Sequence, residues 1–518
     1  MNIKLCATAV STALAIVSGA AQAYTPWLTA PQEEVFISGS SGPSNMMREQ
    51  VMNNVCDPTK PIDVFADALG APSPTQIMEH QNQWAVACEA GAGLTNTAAG
   101  TRIMVRKSDV GGSGNGTTPV DEMKLIQFMT VDGVNCSATP DGSTTSPAGG
   151  APYNYHLCGT ATHLQIPDAG SSDIEPGKFT GPLAPTTGGD FKGINMTAAD
   201  IFPGPGLIFG IGVTKQFRDE LQADQIASGA LPSSCVVGDE GAVTGTACMP
   251  SLTDAYITAL FSGKISQWSD SAVLNGQAPN VPAGMVSSDD KNRVHFCRRV
   301  KGSGTHAEFM IHYMRTNCAK SGTPSILSQP GGGFFGTPFV YENSSSGTLG
   351  SCLDALDTGA GKTGAKITPD LAAGVRSFGI GYQSTEKNMG LLKSYRFVKI
   401  NGVAPTLENA YDGMYRQIYY LSFQHRTGGN FQAGPNRLGA IDSVGGVGLF
   451  SDAYQNIDGN TVRIINAGLV HSWGRGGFLA PAVVSTPTAF NPVGAHVTPW
   501  VRSSGGSPDS CQKLNRKI

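Results

Sequence analysis

The feature that most constrains the fold of this chain is a repeated succession of short apolar runs, Gly/Ser-rich loops and helix-like stretches. The run VFI at 35–37 leads through the loop 38–45 into MMREQVMNNV, and LIFGIGV at 207–213 precedes KQFRDELQADQIAS. A third run, VHF at 294–296, leads through CRRVKGSGTH into a stretch whose apolar residues have helical spacing. Because strands alternate with helices, the sequence predicts an α/β chain with largely parallel sheets.

Three segments between these units are rich in Ser, Thr, Gly and Pro, which predicts surface loops or insertions. They are 137–154, 181–190 and 329–350. The Gly/Pro-rich tail after Phe478 fits either an extended arm over the body or a partly disordered end. The sequence leaves both alternatives open.

The stretch CRRVKGSGTHAEF at 297–309 has the composition of an anion site. The first amides of a helix lack intrahelical partners and lie at the positive end of its dipole. Glycine allows close approach of the backbone, and the hydroxyls of Ser303 and Thr305 can donate hydrogen bonds. Arg299 adds a planar fork that suits two oxygens of a phosphate-like group. The alternative explanation is an ordinary capped helix with surface cations.

Three other loops are equally rich in hydroxyl groups and glycine, at 38–44, 108–116 and 170–176. In open α/β sheets, ligands bind outside the carboxyl ends of strands, where several loops converge. The loops therefore predict a pocket of many donors around one tetrahedral oxyanion. Asp173 would accept a hydrogen bond from protonated phosphate and repel sulfate, which carries no proton at neutral pH. Its alternative role is the N-cap of a short helix at 174–176.

Five segments in this order resemble the periplasmic phosphate-binding proteins of ATP-driven phosphate uptake, which have the type II solute-binding fold. They are SGSS at 38–41, SD at 172–173, LFSGKISQW at 260–268, Arg299 with GSGT at 302–305, and FGIGY at 378–382. The loop GGSG at 111–114 matches the family only loosely. By this resemblance the ligand-binding residues would be Ser38, Gly39, Ser40, Ser41, Ser113, Ser172, Asp173, Arg299, Ser303, Gly304 and Thr305.

The resemblance also implies two α/β lobes that close on the anion about a hinge. Residues 24–206 and 384–518 would form lobe I and residues 207–383 lobe II, with the Gly/Ser/Pro-rich insertions added. The ligand would be phosphate or a similar oxyanion, and the partner an ABC permease. Lys301 stands where the family has the aspartate that braces the arginine. Arg299 would then be either less well oriented or part of a more cationic pocket.

The N-terminus has the pattern of a secretory signal. Lys4 precedes an apolar run over 5–17, and AQA at 21–23 supplies a small-x-small cleavage site. We therefore expect a signal peptide over 1–23, cleavage near Ala23 and a periplasmic or secreted protein. The apolar run is too short for a membrane span, and no later segment is long and apolar enough for one.

The cysteines fit an oxidising compartment. Of the 11 cysteines, Cys6 leaves with the signal, and the even number that remains favours five disulfides over metal ligation. Partners close in sequence are Cys56 with Cys88, Cys136 with Cys158, and Cys235 with Cys248. The pairing of Cys297, Cys318, Cys352 and Cys511 stays open.

Charge and motifs exclude several classes of function. The net charge of −4 and the absence of a basic stripe argue against nucleic acid as a partner. No GxSxG elbow or HExxH helix occurs, and GAGKT at 359–363 lacks the first glycine of a nucleotide loop. We therefore expect no catalytic residues, metal or cofactor. Two alternatives remain: an extracellular structural or adhesive protein on the same fold without the ligand, and a secreted phosphatase whose serine attacks an ester.

Overall fold

A computed structural model describes most of the chain. The described residues are 25–67, 82–92, 94, 97–145, 152–185, 189–193, 196, 201–240, 245–270, 292–318, 338–359, 374, 376–385, 387–388, 391, 393–425, 478–481, 497–498, 500–504 and 507–516. The expected signal peptide at 1–23 lies outside them. Within the described residues, no helix combines the length and apolar character needed to cross a bilayer.

Strands and helices alternate in the described residues between 201 and 384, as the sequence predicts, whereas the three strands between 152 and 172 follow one another without an α-helix. The strands are β1 (Glu33–Gly39), β2 (Asp63–Ala66), β3 (Gln83–Glu89), β4 (Arg102–Ser108), β5 (Ile126–Met129), β6 (Gly142–Thr145), β7 (Pro152–Leu157), β8 (Thr162–Gln165), β9 (Ala169–Ser172), β10 (Ile201–Thr214), β11 (Ser251–Leu252), β12 (His295–Arg299), β13 (Phe339–Asn343), β14 (Ile380–Ser384), β15 (Tyr395–Phe397), β16 (Lys399–Ile400), β17 (Ile418–His425), β18 (Phe478–Pro481), β19 (Val497–Thr498), β20 (Trp500–Val501), β21 (Ser503–Ser504), β22 (Ser507–Pro508) and β23 (Asn515–Arg516). The α-helices are α1 (Ser44–Gln50), α2 (Thr118–Asp121), α3 (Lys215–Ala227), α4 (Asp254–Phe261), α5 (Gly304–Met314), α6 (Ser346–Thr358) and α7 (Leu407–Tyr411).

One large sheet organises the molecule, in the order β13-β12-β14-β10-β17-β9-β1-β4-β3-β2-β7-β6. The long strand β10 joins its two parts, because residues 201–208 pair with β17 and residues 209–213 pair with β14. We call β1–β4, β6, β7, β9 and β17, with the segment 173–185 that follows β9, the β1 side, and β12–β14 with α5 and α6 the β12 side.

The α/β class is confirmed, but the prediction of largely parallel sheets is wrong, because many strand pairs are antiparallel. Strand β1 is parallel to β4 and β9, β2 to β7, and β12 to β13 and β14. Strand β3 runs antiparallel to β2 and β4, and β10 runs antiparallel to β14 and β17. The sheet is therefore mixed, because a chain that passes between the two parts and returns must run in opposite directions at the crossing.

Two of the predicted loop segments contain regular structure. Segment 137–154 forms β6 and the start of β7, and segment 329–350 contains β13 and the start of α6. Helix α6 begins in the polar run SSSGT because Ser345 and Thr348 form a reciprocal capping box. The Ser and Gly content therefore marks a helix start here and not a loop.

The segment LFSGKISQW at 260–268, which is part of the family resemblance, contributes a tryptophan to the core. Trp268 has no exposed surface and packs on Phe217 with ring centroids 4.2 Å apart. Phe217 also stacks on Phe378 at 5.3 Å, which precedes β14. This segment therefore contributes to packing under the β12 side.

The C-terminal segment 500–516 lies against the β1 side. The guanidinium of Arg502 donates to the carbonyl of Ile418 at 2.9 Å, and Asp509 pairs with Lys178 at 3.2 Å. In its described part the tail after Phe478 is therefore an extended arm over the body.

Five disulfides are present among the described cysteines, as the even number of cysteines after Cys6 predicts. The three pairs close in sequence are confirmed, and the open pairs are resolved as Cys297 with Cys352 and Cys318 with Cys511. The last bond links the loop after α5 to the C-terminal arm.

Candidate functional site

The hydroxyl-rich loops meet where parallel strands end. Strands β1, β4 and β9 are parallel neighbours, so their carboxyl ends lie at one edge of the sheet. Gly39 at the end of β1 has φ +115°, and a Cβ there would collide with the carbonyl of Ser171. Glycine is therefore required at this position, because no side chain fits between β1 and β9.

Asp173 lies at the centre of these loops. Its carboxylate accepts hydrogen bonds from the hydroxyls of Ser40 and Ser113, the latter at 3.2 Å. The Asp173 amide in turn donates to the Ser113 hydroxyl at 3.1 Å. Burial raises the pKa of Asp173, while the Ser40 hydrogen bond and the Arg299 charge act against that rise.

Arg299 stands at the end of β12 and is held in one orientation by the β12 side itself. Its Nε donates to the carbonyl of Asn343 at 3.2 Å, Nη2 to the carbonyl of Ser344 at 2.9 Å, and Nη1 to the hydroxyl of Ser346 at 2.8 Å. Burial lowers the pKa of Arg299 to about 10, and Asp173 acts against this shift, so the group stays cationic at neutral pH. A guanidinium has five N–H groups, so two remain beyond the bonds to these described partners.

The first turn of α5 supplies further donors. Ser303 is the residue before the helix, and its buried hydroxyl has no hydrogen-bond partner among the described residues. Thr305 is also buried in this turn and lines a small cavity beside Arg299. Because the first amides of an α-helix have no intrahelical acceptor, this turn presents N–H groups together with the Ser303 hydroxyl.

Glycines bring the two sides into direct contact. A Cβ on Gly304 would lie 2.5 Å from the Asp173 Oδ2 atom, so only glycine allows the start of α5 to approach Asp173 this closely. A Cβ on Gly112 would lie 3.1 Å from Arg299 Nη2, and the amide of Gly114 donates to the carbonyl of Gly302 at 2.6 Å. The loosely matching loop GGSG therefore forms part of the cluster.

Eight of the predicted residues lie in this cluster: Ser40, Ser41, Ser113, Asp173, Arg299, Ser303, Gly304 and Thr305. Ser41 joins it through Ser346, since the two hydroxyl oxygens are 3.0 Å apart.

Three predicted residues have other bonding partners or a backbone role. The Ser38 hydroxyl donates to the carbonyl of Asn115 at 2.7 Å, and the Ser172 hydroxyl donates to the carbonyl of Ile174 at 2.5 Å. Gly39 contributes through its backbone, as described above. Asp173 is not a helix cap, because the short turn begins at Pro176 with Glu175 before it.

Sequence reasoning missed four residues that hold the site together. Asn343, Ser344 and Ser346 orient Arg299, and Lys107 donates from Nζ to the carbonyl of Ser40 at 3.0 Å. Lys107 could have been identified from the sequence, because it lies in the apolar strand pattern RIMVRKS. A lysine that a strand buries needs a partner, and such a lysine therefore indicates a polar cluster. The acceptors of Arg299 carried no such signal, because they lie more than 40 residues along the chain.

His306 is a neutral residue behind the cluster. Burial, together with the positive charges of Arg298, Lys301 and Arg299, lowers its pKa to about 3. His306, Arg299 and Thr305 border a cavity of about 10 Å³, which is the size needed for one water molecule. In the part of the chain that the structure describes, no three His, Cys, Asp or Glu residues are grouped so as to hold a metal ion.

Comparison with known proteins gave similar solved structures but no family assignment. No protein-family model matches the chain, and no curated protein matches it. A Clostridium perfringens protein, solved with bound phosphate and described as a phosphate ABC transporter substrate-binding protein, is 14% identical with a TM-score of 0.36, covering 86% of this chain and 99% of its own. An ABC-type phosphate transport receptor from Vibrio cholerae is 11% identical with a TM-score of 0.31, covering 84% of this chain and 98% of its own. PstS from Borrelia burgdorferi is 10% identical with a TM-score of 0.28, and the match covers 76% of this chain and 87% of the Borrelia protein. At these TM-scores we argue function from the site alone.

Proposed function

We propose that this protein is an exported solute-binding protein that captures phosphate or a similar tetrahedral oxyanion between two lobes, for uptake by an ABC permease. Lobe I would comprise 24–206 and 384–518, and lobe II 207–383. The position of β10, which pairs with β17 on one side and β14 on the other, supports a hinge near residue 208. The five disulfides support export, because such bonds persist in oxidising compartments.

The single observation that carries the proposal is the buried hydroxyl of Ser303 at the start of α5, which has no hydrogen-bond partner among the residues that the structure describes. A buried donor without a partner costs about 1–3 kcal/mol. Beside it lie the two remaining N–H groups of Arg299 and the first amides of the helix, and opposite lies the Asp173 carboxylate. This set offers donors to three or more oxygens and one acceptor to a proton, which matches hydrogen phosphate.

Ligand entry requires the two sides to separate. The start of α5 touches Asp173, and the cavity beside Arg299 has a volume of about 10 Å³, too small for a tetrahedral oxyanion. We therefore expect the loops to part and to close again around the anion, as in hinged binding proteins. Closure would exclude water and strengthen the charged contacts.

A second candidate function has one specific observation in its favour. The Ser40 hydroxyl donates directly to the Asp173 carboxylate, and a serine beside a base is the arrangement of an activated nucleophile. A phosphoester hydrolase would use Ser40 to attack phosphorus: the serine proton would pass to Asp173, the ester P–O bond would break with release of the alcohol, and water would then hydrolyse the phosphoserine. Hydrolysis of a chromogenic phosphate ester that is lost in Ser40→Ala would favour this function over binding alone.

The binding proposal is tested by titration calorimetry on protein from which phosphate has been stripped by unfolding and refolding. We expect inorganic phosphate to bind, and Arg299→Glu to weaken binding at least 100-fold, because a charged hydrogen-bond partner is replaced by a repelling charge. Arg416→Glu is the matched control, since Arg416 is exposed and lies outside the cluster.

Retained phosphate affinity in Arg299→Glu would contradict the proposal. If the folded wild-type protein shows no heat of binding with phosphate, arsenate or phosphonates, that result would favour a structural or adhesive role on the same fold.

A further inference from the structure

Lys107 is a buried cation beneath the first hydroxyl loop. It lies one residue before the end of β4, in register with Ile37 of β1 and Trp84 of β3, and its side chain has no exposed surface. Its Nζ pairs with the carboxylate of Asp109 at 2.5 Å and donates to the carbonyl of Ser40 at 3.0 Å. Such burial of an ammonium group requires partners of this kind.

Ser40 connects this cation to the centre of the site. Its carbonyl accepts from Lys107, and its hydroxyl donates to Asp173. A single residue, Ser40, therefore separates Lys107 from the Asp173 carboxylate, which would face the ligand. Because the residues between the two charges are buried, their attraction is screened less than it would be at the surface.

The charges around Asp173 come from three other elements. Burial raises its pKa, while the Ser40 hydrogen bond, the charge of Arg299 on β12, the Ser113 hydrogen bond and, as the smallest of these effects, the charge of Lys107 on β4 lower it. Glu308 of α5 is fully buried and also lies within electrostatic range of Asp173. Two cations therefore oppose desolvation at this carboxylate.

The charges around Lys107 are the carboxylates of Asp109 and Asp173 and the cation of Lys387. Burial lowers the pKa of Lys107, Asp109 and Asp173 raise it, and Lys387 lowers it. The ion pair with Asp109 at 2.5 Å is the contact that favours the charged form of the lysine.

We propose that Lys107 keeps Asp173 ionised and thereby makes the cleft select oxyanions that carry a proton. This inference rests on the proposed function and adds a positioning residue that does not touch the ligand. An ionised Asp173 accepts a hydrogen bond from hydrogen phosphate and repels sulfate. A protonated Asp173 would instead donate to sulfate, so the selectivity of the cleft depends on the charge behind Ser40.

The test is calorimetric titration of Lys107→Gln with inorganic phosphate and with sulfate over pH 5–8. We expect the ratio of phosphate to sulfate affinity to fall about tenfold, which corresponds to one pKa unit at Asp173. We expect sulfate to bind the wild type only as pH falls and Asp173 is protonated. Removal of the cation raises the pKa of Asp173, so the onset of sulfate binding moves to higher pH. Lys107→Arg keeps the charge and restores the ratio, and exposed Lys60→Gln is the control.

Lys107→Gln leaves the Asp109 carboxylate buried without its cation, which destabilises the fold. A second variant therefore controls for loss of folding. Lys107→Met with Asp109→Asn removes both charges of the pair, which is better tolerated than removal of one. Infrared difference spectra against Asp173→Asn give a readout independent of binding, since only a protonated Asp173 has an acid carbonyl band. We expect this band at a higher pH in Lys107→Gln than in the wild type, and a smaller shift in the same direction in the double variant, because the Asp109 charge is lost with the cation.

The possible failures are distinguishable. Wild-type protein that binds neither anion overturns the proposed function, and this inference with it. Wild-type protein that binds phosphate, with variants that lose both anions equally or show an unchanged acid band, overturns only the role of Lys107 and leaves it as a structural ion pair.

Discussion

Arg299 is oriented by groups that replace a carboxylate. Lys301, where the sequence resemblance predicts a bracing aspartate, is exposed, and the carbonyls of Asn343 and Ser344 accept from Arg299 instead. The arginine is therefore well oriented, so the expectation that Lys301 leaves it less well oriented is wrong. Since carbonyls are neutral, an incoming anion meets one negative charge fewer beside the guanidinium than in a site with an aspartate.

At this scale the sharpest prediction concerns Ser303. Ser303→Ala removes a buried hydroxyl that has no partner among the described residues, so the free energy of unfolding of the ligand-free protein should rise by about 1–3 kcal/mol. Phosphate affinity should fall about 10-fold, because one hydrogen bond to a charged ligand is lost. Chemical denaturation and calorimetry on the same samples measure both quantities.

Ser172→Ala is the matched variant with the opposite expectation. Its hydroxyl is engaged in the local turn with Ile174, so its loss should cost about 1 kcal/mol of stability and leave affinity within about twofold. Equal effects of the two variants on affinity would show that Ser303 has no special role as a donor.

Helix α5 is the element that connects the site to the rim of the molecule. Its first residue, Gly304, touches Asp173, and shortly after its end Asn317 donates to the carbonyls of Lys178 at 2.9 Å and Thr180 at 3.1 Å. The helix therefore contacts the β1 side near both of its ends. Between them it carries Glu308, whose two carboxyl oxygens are buried without a hydrogen-bond partner in the described residues.

Glu308 gives α5 a predicted pH dependence. Burial raises its pKa well above the usual value of 4.5, and the negative charge of Asp173 raises it further, so the folded protein holds a proton that the unfolded chain loses. The stabilising effect is complete below pH 4.5 and is lost as pH rises toward the folded-state pKa. The slope is up to about 1.4 kcal/mol per pH unit.

Urea denaturation of the wild type and Glu308→Gln at several pH values checks this prediction. The variant should lack this part of the decline between pH 5 and 7, whereas exposed Glu408→Gln should behave as the wild type does. Parallel curves for the wild type and Glu308→Gln would mean that Glu308 is ionised in the folded protein.

At the scale of the whole molecule, a covalent bond spans the two sides. Cys318 follows α5 on the β12 side, and Cys511 belongs to the arm that binds the β1 side through Arg502 and Asp509. The two cysteines are 193 residues apart in sequence. The bond therefore closes a long loop that includes most of the β12 side.

Removal of this bond should destabilise the protein more than removal of a short-range one. Cys318→Ala with Cys511→Ala should lower the free energy of unfolding by about 2–5 kcal/mol, because the unfolded chain gains the freedom of a long loop. The matched variant pair Cys235→Ala with Cys248→Ala opens a loop of 13 residues and should cost about 2 kcal/mol less. Denaturation under non-reducing conditions measures both, and equal losses would refute the loop-length explanation.

Local signals made much of the architecture predictable. The apolar runs before Gly/Ser loops placed β1, β10 and β12, and the helical spacing after residue 303 placed α5. Three disulfides were predictable because their partners are 13–32 residues apart, within single hairpins or loops. The convergence of the loops on Asp173 followed from the rule that parallel strands end at one edge of a sheet.

The sequence by itself determined which residue types stand at the ends of strands and at the start of α5, because strand alternation, helix spacing and glycine-rich turns depend on neighbours along the chain. Only the tertiary structure decided that Asn343 and Ser346 orient Arg299, that Lys107 lies behind Asp173, and that Cys318 pairs with Cys511. These contacts join residues that are 44 to 193 positions apart. Their geometry depends on how the sheet is ordered, which no local pattern encodes.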